Sequence, residues 1–233
     1  MTSGIDRRTA LAATLAAGAV LAVQGCATAQ QAAVTVRGYQ PRPLPFDPKT
    51  IPGFSERILV SHHDNNYAGA VTRLGAIEAH VAQLDPAAPG FMFNGLKREE
   101  LLAMNSMILH ELYFASLGKG GSKPGAQLAT QIEKDFGSQQ KWRDQFVAMG
   151  KALGGGSGWV LLIWSPRAGK LVNQWAGDHT MAIADSRGLV ALDMYEHAYH
   201  MDFGAKAAAY VDAYMVALDW TNADKEFARA AAL

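Results

Sequence analysis

The chain has 233 residues, of which 49% are hydrophobic and 18% charged, so it can build one large domain or two small ones around a substantial core. Basic and acidic residues number 21 each, so no strong field attracts nucleic acid or an acidic membrane surface. A single cysteine, Cys26, excludes an intramolecular disulfide, a zinc site with several thiolates and an iron–sulfur cluster. Any metal must therefore be held by His, Asp or Glu.

The first 29 residues have the features of an export signal peptide. Arg7 and Arg8 precede an uncharged stretch rich in Ala, Leu and Val, and the small residues Ala27-Thr28-Ala29 follow it. The paired arginines predict the twin-arginine route, and the apolar stretch is at the short limit for a membrane span. Cleavage after Ala29 and lipidation of Cys26 both stay open. We expect a periplasmic or otherwise exported protein, with a lipid anchor if Cys26 is acylated.

Residues 30–55 are rich in proline and predict an extended, irregular lead-in. Apolar residues then recur three and four apart, which is typical of helices that bury one face. The predicted helices cover about residues 66–84, 97–117, 125–136 and 138–153. Residues 119–125 are rich in Gly, Ser and Pro and are the best candidate for a boundary between two halves.

After Gly154 the helical pattern gives way to runs of aromatic and β-branched residues. These runs predict strands at about residues 159–164, 170–175 and 189–192, followed by helices at 205–218 and 222–232. The sequence therefore predicts an α+β protein. An N-terminal domain with a hairpin of long helices occupies residues 30–118, and a C-terminal α+β domain with a small three-stranded antiparallel sheet occupies residues 119–233.

Histidines stand beside carboxylates or other histidines at four places, which are Ser61-His62-His63, His110-Glu111, Gly177-Asp178-His179 and the segment Asp193 to His200. Asp193 and His197 are four residues apart and can converge on one ion if the backbone turns between them. Imidazole and carboxylate together suit iron, manganese or zinc and do not select among these metals.

The segment Asp193-Met194-Tyr195-Glu196-His197-Ala198-Tyr199 closely resembles the D-x-W-E-H-A-Y signature of the iron/manganese superoxide dismutase family. The resemblance covers about residues 41–220 and includes Pro43-Leu44-Pro45-Phe46, Asn105 to Phe114, Phe136-Gly137-Ser138 and Gly156-Ser157-Gly158-Trp159. It implies that one iron or manganese ion per subunit is bound by His62, His110, Asp193 and His197. Three imidazoles and one carboxylate leave a coordination position open for solvent.

The same resemblance implies roles for residues around the ligands. His179 is similar to the outer Gln or His that hydrogen-bonds the bound solvent, while Tyr113 and Trp159 would line the pocket. Glu196 resembles the glutamate that reaches across a homodimer interface to the ligand histidine of the partner subunit. We therefore expect a homodimer formed through the Glu196/His197 region, acting on superoxide, with no nucleic acid and no membrane span.

Several positions depart from the family pattern. The family has a His and then a Tyr downstream of the first ligand, and these places fall on Asn66 and Ala70. Tyr67 could replace the lost phenol after a small rearrangement. The Tyr that follows the signature in the family is replaced here by His200, to which we assign recovery of part of the proton relay. The Trp of the signature is replaced by Tyr195.

Three functions remain open at this point. The leading hypothesis is a superoxide dismutase that produces dioxygen and hydrogen peroxide with an altered proton relay. The second is a metal-dependent oxidase or oxygenase, whose widened pocket admits an organic substrate such as a phenol. The third is a metal-binding protein without catalysis. The residues that discriminate among them are Asn66, Ala70 and His200.

Overall fold

The computed structural model describes residues 38–232, so the predicted export signal and Cys26 lie outside the described residues. Residues 38–55 form the irregular lead-in that the prolines predict, with a single 3-10 turn at Pro48–Thr50. Among residues 38–232, no helix is both long enough and apolar enough to cross a membrane.

The first long helix carries His62 near its N-terminal end. The helix begins at Glu56, where the Ser55 hydroxyl accepts a hydrogen bond from the Ile58 amide. It consists of α1 (Glu56–Ser61), a π-helical turn (His62–Tyr67) and α2 (Ala68–Gln83). The predicted start at residue 66 was wrong by ten residues, because the polar π-helical turn interrupts the apolar repeat on which the prediction rests.

The second long helix, α3 (Gly90–Ala115), packs along α2 and closes the N-terminal helical part. The predicted start at residue 97 was seven residues late, since the first turns of α3 carry exposed apolar side chains such as Phe91, which is 75% exposed. The buried face of α3 includes Ala103, Ser106, His110 and Tyr113. This face therefore supplies both core packing and candidate site residues.

Two shorter helices, α4 (Ala126–Phe136) and α5 (Gln139–Ala152), precede the sheet close to their predicted ranges. Gly137 separates them in the left-handed conformation, with φ of 84°, and the Ser138 hydroxyl then caps α5 by accepting from the Lys141 amide. The later helices are α6 (His200–Phe203), α7 (Ala207–Ala217) and α8 (Thr221–Ala231).

The sheet has three antiparallel strands in the order β2-β1-β3, with ranges Trp159–Ser165 for β1, Lys170–Ala176 for β2 and Arg187–Asp193 for β3. The prediction of an α+β fold with a small antiparallel sheet is confirmed. Trp159 at the start of β1 pairs with Ala176 at the end of β2 and with Asp193 at the end of β3. One end of the sheet therefore holds Trp159, Asp193 and the loop that begins at Gly177.

The described residues all fall within one compact unit, Thr35–Leu233. Its helical part ends with α3 and its α+β part begins with α4. The division into domains at residues 118 and 119 stays a prediction.

Candidate metal centre

Four side chains from separate parts of the chain converge in the interior. His62 begins the π-helical turn, His110 lies on α3, Asp193 ends β3 and His197 lies in the 3-10 turn Glu196–Ala198. Each offers one ligand atom, and these atoms all lie within 4.8 Å of one another. The structure therefore brings together the four residues that the sequence resemblance assigned as ligands.

The Oδ2 atom of Asp193 is the centre of this cluster. It lies 3.1 Å from Nε2 of His62, 3.1 Å from Nε2 of His197 and 3.6 Å from Nε2 of His110. A transition-metal ion bound at about 2.0–2.2 Å places ligand atoms separated by angles of about 90–120° about 2.8–3.8 Å apart. Nε2 of His110 is buried and has no hydrogen-bond partner among the described residues. The geometry and this unpaired nitrogen both fit a metal ion.

Hydrogen bonds behind the ligands fix their orientation. Nδ1 of His110 donates to the Ser106 carbonyl at 2.7 Å, which leaves Nε2 as the nitrogen that faces Asp193. The Asp193 carbonyl accepts from the Tyr210 hydroxyl at 2.6 Å, and its Oδ1 accepts from the Tyr195 amide at 2.9 Å. Such outer contacts determine which lone pairs reach a metal.

Burial and charge set the protonation states that a metal requires. Burial lowers the pKa of His62, and it lowers the pKa of His110 to about 3, so both imidazoles are neutral near pH 7. Burial alone would raise the pKa of Asp193. The adjacent His197 and His62 outweigh that effect and hold the pKa of this carboxyl well below its usual range. The cluster therefore includes two neutral imidazoles, those of His62 and His110, beside an ionised carboxylate, as metal binding demands.

His179 lies beside the ligand cluster, in the loop after β2. Its Nδ1 accepts a hydrogen bond from the indole Nε1–H of Trp159 at 3.0 Å, and its carbonyl accepts from the Asn105 amide group at 2.6 Å. The His179 ring stacks on Tyr195 at 4.8 Å and lies 6.1 Å from the ring of His110. Burial lowers the pKa of His179. The position suits the outer role assigned from the sequence, and the role itself stays a prediction.

Two aromatic rings pack directly on the ligands. The buried ring of Tyr113 lies 4.9 Å from that of His62, and the buried ring of Trp159 lies edge-on at 5.3 Å from that of His110. Burial raises the pKa of Tyr113, so its phenol stays protonated. Both residues line the centre in the positions expected from the sequence.

A cavity of about 330 Å³ lies next to the cluster, between α2, α3 and the His179 loop. It is lined by Asn65, Asn66, Gly69, Ala70, Arg73, Leu102, Ala103, Ser106 and His179. Asn66 and Ala70, the two substituted gateway positions, thus face one open space. We call this cavity the antechamber.

Tyr67 does not line the antechamber. Its buried hydroxyl donates to Oε1 of Glu111 at 3.0 Å and accepts from the Arg42 amide at 2.8 Å. The Arg42 guanidinium completes the group with a 2.8 Å contact to Oε2 of Glu111. These bonds hold the hydroxyl against the lead-in segment, away from the antechamber, and the expectation that Tyr67 could replace the lost phenol after a small rearrangement stays a prediction.

His200 and Glu196 are exposed, at the start of α6 and in the 3-10 turn respectively. Neither residue lines the antechamber. Their predicted roles, proton relay for His200 and contact with a partner subunit for Glu196, remain predictions.

The sequence reasoning did not single out Ser106 or Arg73. Ser106 lies one helical turn before His110, so the i, i+4 spacing on α3 was a signal that could have found it. Arg73 lies on α2, about one helical turn after Ala70. No sequence pattern connects it with the site, and only the lining of the cavity shows that it lies there.

Comparison with known proteins agrees with this site. The family described as iron/manganese superoxide dismutases, C-terminal domain, matches residues 124–226. The superoxide dismutase [Fe] of Cupriavidus metallidurans is 61% identical over 193 residues, which are 82% of this chain and 98% of that protein. The superoxide dismutase [Mn] 1 of Halobacterium salinarum is 32% identical over 196 residues, 83% of this chain and 96% of that protein. The chain belongs to the iron/manganese superoxide dismutase family.

Proposed function

We propose that this protein is a superoxide dismutase with one iron or manganese ion held by His62, His110, Asp193 and His197. The observation that carries the proposal is the convergence of three imidazole nitrogens on one buried carboxylate oxygen, that of Asp193. The names of the relatives from C. metallidurans and H. salinarum, which specify iron and manganese, support the choice of metals.

The bound ion supplies an electron acceptor and donor, so that one superoxide becomes dioxygen and a second, with two protons, becomes hydrogen peroxide. The residues around it orient the reactants. Because an indole N–H can only donate, Trp159 requires Nδ1 of His179 to accept and leaves the proton of the neutral imidazole on Nε2. This Nε2–H is the donor that we assign to solvent or substrate at the centre.

Protons must also reach the centre through an altered gateway. An asparagine amide does not take up and release protons near neutral pH, so Asn66 cannot serve as a histidine relay. The antechamber has about 330 Å³ of space, against roughly 30 Å³ for each molecule of liquid water. We assign the relay to water in this cavity, with the Ser106 hydroxyl at its wall.

The decisive experiment is superoxide decay, measured by pulse radiolysis on the mature protein with its metal content quantified. Superoxide dismutase is a known example of an enzyme whose kcat/KM reaches the diffusional ceiling of about 10⁸–10⁹ M⁻¹s⁻¹. A rate constant within about tenfold of that ceiling supports the proposal. A fully metallated protein that is thousands of times slower contradicts it, and would favour the hypothesis of an organic substrate.

We also propose a homodimer in which Glu196 contacts the ligand histidine of the partner subunit. The exposure of Glu196 directly beside His197 supports this proposal, since the carboxylate is free of the protomer core. Sedimentation of wild type and the Glu196→Ala variant tests it. A monomeric wild-type protein would contradict the proposal, and so would a dimer of equal strength in the variant.

Export to the periplasm or beyond is proposed on the paired Arg7 and Arg8 and the apolar stretch that follows them. The mass of the protein recovered from the producing organism distinguishes the two processing routes. Cleavage after Ala29 gives a chain that starts at Gln30, whereas lipidation gives a chain that starts at an acylated Cys26 and partitions into detergent. A full-length chain in the cytoplasm would contradict export.

A further inference from the structure

The antechamber is larger than superoxide needs. Its volume of about 330 Å³ corresponds to about eleven water molecules at roughly 30 Å³ each, whereas superoxide has two atoms. Two small buried residues line this space, Ala70 on α2 and Ala103 on α3. These two side chains give the cavity an apolar part of its wall.

The inner end of the antechamber offers hydrogen-bond donors. Nδ1 of His110 lies 2.7 Å from the Ser106 carbonyl and 3.3 Å from the Ser106 hydroxyl oxygen, so its single proton goes to the carbonyl. The Ser106 hydroxyl proton is therefore left for another acceptor. His179 lines the cavity as well, and its Nε2–H, which we assign to solvent or substrate at the metal centre, is a donor that a bound ligand would take over from that acceptor. A small group with acceptor atoms fits this end of the cavity.

The outer end of the antechamber carries a guanidinium group. Arg73 lines the cavity, its side chain is 63% exposed, and its guanidinium is paired with Glu99. Glu99 also contacts Arg98, so two guanidinium groups surround one carboxylate at this end. Asp178 lies near enough to Arg98 to feel its charge, so the charges around this end balance, and Arg73 is the guanidinium that lines the cavity and can pair with an anion inside it.

We infer that the antechamber binds a small organic monocarboxylate beside the metal centre. The carboxylate accepts hydrogen bonds from Ser106 and His179, the apolar part of the ligand contacts Ala70 and Ala103, and Arg73 attracts the anion. The inference depends on the proposed function in one respect, because the ligand occupies the route to the same metal centre. The binding itself uses residues of the cavity wall and none of the four metal ligands.

Isothermal titration calorimetry with benzoate and acetate tests the inference on the metal-loaded protein. We expect saturable binding of one benzoate per chain, at least tenfold tighter than acetate, because only the aromatic ring covers the alanine wall. Ala70→Leu fills the cavity and should weaken benzoate at least tenfold. Arg73→Gln should weaken benzoate threefold or more, and the weakening should shrink at high salt.

Arg98→Gln is the matched control. Arg98 contacts the same Glu99 and its side chain is 64% exposed, but it does not line the antechamber. We expect benzoate affinity within twofold of wild type in this variant. Equal losses in Arg73→Gln and Arg98→Gln would show a diffuse charge effect and overturn the inference. No saturation by benzoate up to tens of millimolar, or unchanged affinity in a folded Ala70→Leu, would overturn it as well.

Superoxide decay measured on the same preparations separates this inference from the proposed function. Fast decay without benzoate binding overturns the carboxylate site and leaves the dismutase proposal standing. Specific benzoate binding with negligible decay supports the site and overturns the dismutase proposal. If Ala70→Leu does not fold, the pair Arg73→Gln and Arg98→Gln still decides, because both side chains are exposed.

Discussion

The indole Nε1–H of Trp159 donates to Nδ1 of His179 across 3.0 Å, and this one bond determines which nitrogen of the histidine carries its proton. Trp159 comes from the first strand and His179 from the loop after the second, so the sheet positions donor and acceptor. Tyr195 stacks on a face of the imidazole ring and limits its rotation. The arrangement holds one N–H donor at the edge of the metal centre.

Replacing Trp159 by Phe removes this donor and keeps an aromatic ring. We expect ¹⁵N chemical shifts of His179 in the metal-free protein to change from the Nε2–H form to a mixture of tautomers. The free energy of unfolding should fall by about 1–3 kcal/mol, because Trp159 is fully buried and the smaller ring leaves a void. Trp164→Phe, on the same strand, is the control and should leave the shifts unchanged. An unaltered Nε2–H signal in Trp159→Phe would show that another contact sets the tautomer.

Replacing Asp193 by Asn keeps the shape of the side chain and removes its charge. We expect metal affinity to fall by at least about 100-fold, since the central carboxylate is lost from a buried site where even outer contacts are worth 10–100-fold. Competition against a chelator, followed by elemental analysis, measures the change. Asp212→Asn removes an exposed carboxylate that pairs with Lys151 and should bind metal as wild type does. Full metal retention by Asp193→Asn would refute the ligand assignment.

Replacing Tyr67 by Phe should separate stability from catalysis. The change leaves the Arg42 amide and the Glu111 carboxylate without their shared partner, so the free energy of unfolding should fall by about 1 kcal/mol. The rate of superoxide decay per bound metal should stay within about twofold, because Tyr67 does not line the antechamber. A tenfold slower decay at normal metal content would place this phenol in the proton relay after all.

The metal-free protein should lose stability as the pH falls. Burial lowers the pKa of His62 and takes that of His110 from 6.5 to about 3, so between these values the unfolded chain binds protons that the folded chain rejects. Stability conferred by the neutral histidines is complete above about pH 6.5 and declines below it. The slope reaches at most about 1.4 kcal/mol per pH unit for each histidine. The free energy of unfolding, measured with urea at pH 7, 6 and 5, tests this decline in stability.

The control for the pH series is the exposed His80, whose replacement by Gln should leave the slope intact. His110→Gln should reduce the slope, since one of the buried imidazoles is then gone. Equal unfolding free energies at all three pH values in wild type would contradict the burial argument.

Local patterns in the sequence predict the sheet well. Runs such as Trp159 to Trp164 are apolar without interruption because β1 lies between two neighbouring strands and is buried along nearly its whole length. The helix that bears His62 was harder to predict. Its true start is indicated by Ser55, a capping residue, whereas the apolar repeat is visible only after the π-helical turn.

The candidate site was predictable only through its resemblance to a family. His62 and Asp193 are 131 residues apart, and no rule of spacing connects positions at that distance. The bond from Trp159 to His179 and the antechamber depend on how a loop and two helices pack. Such features are set by tertiary contacts, for which a single sequence contains no local signal.

Two hydrogen bonds from Ser55 to Asp202, each 2.7 Å long, tie the start of the His62 helix to the segment that follows His197. The ligand set likewise spans the chain, with two imidazoles before Asp193 and the remaining ligands at and after it. At about 5–20 residues per second, a ribosome needs about 7–26 s to add the 131 residues between His62 and Asp193. A nascent chain thus exposes two histidines long before their carboxylate exists. The four-ligand site is therefore complete only after Asp193 and His197 have been synthesised, so an ion held by all four residues is bound after that point.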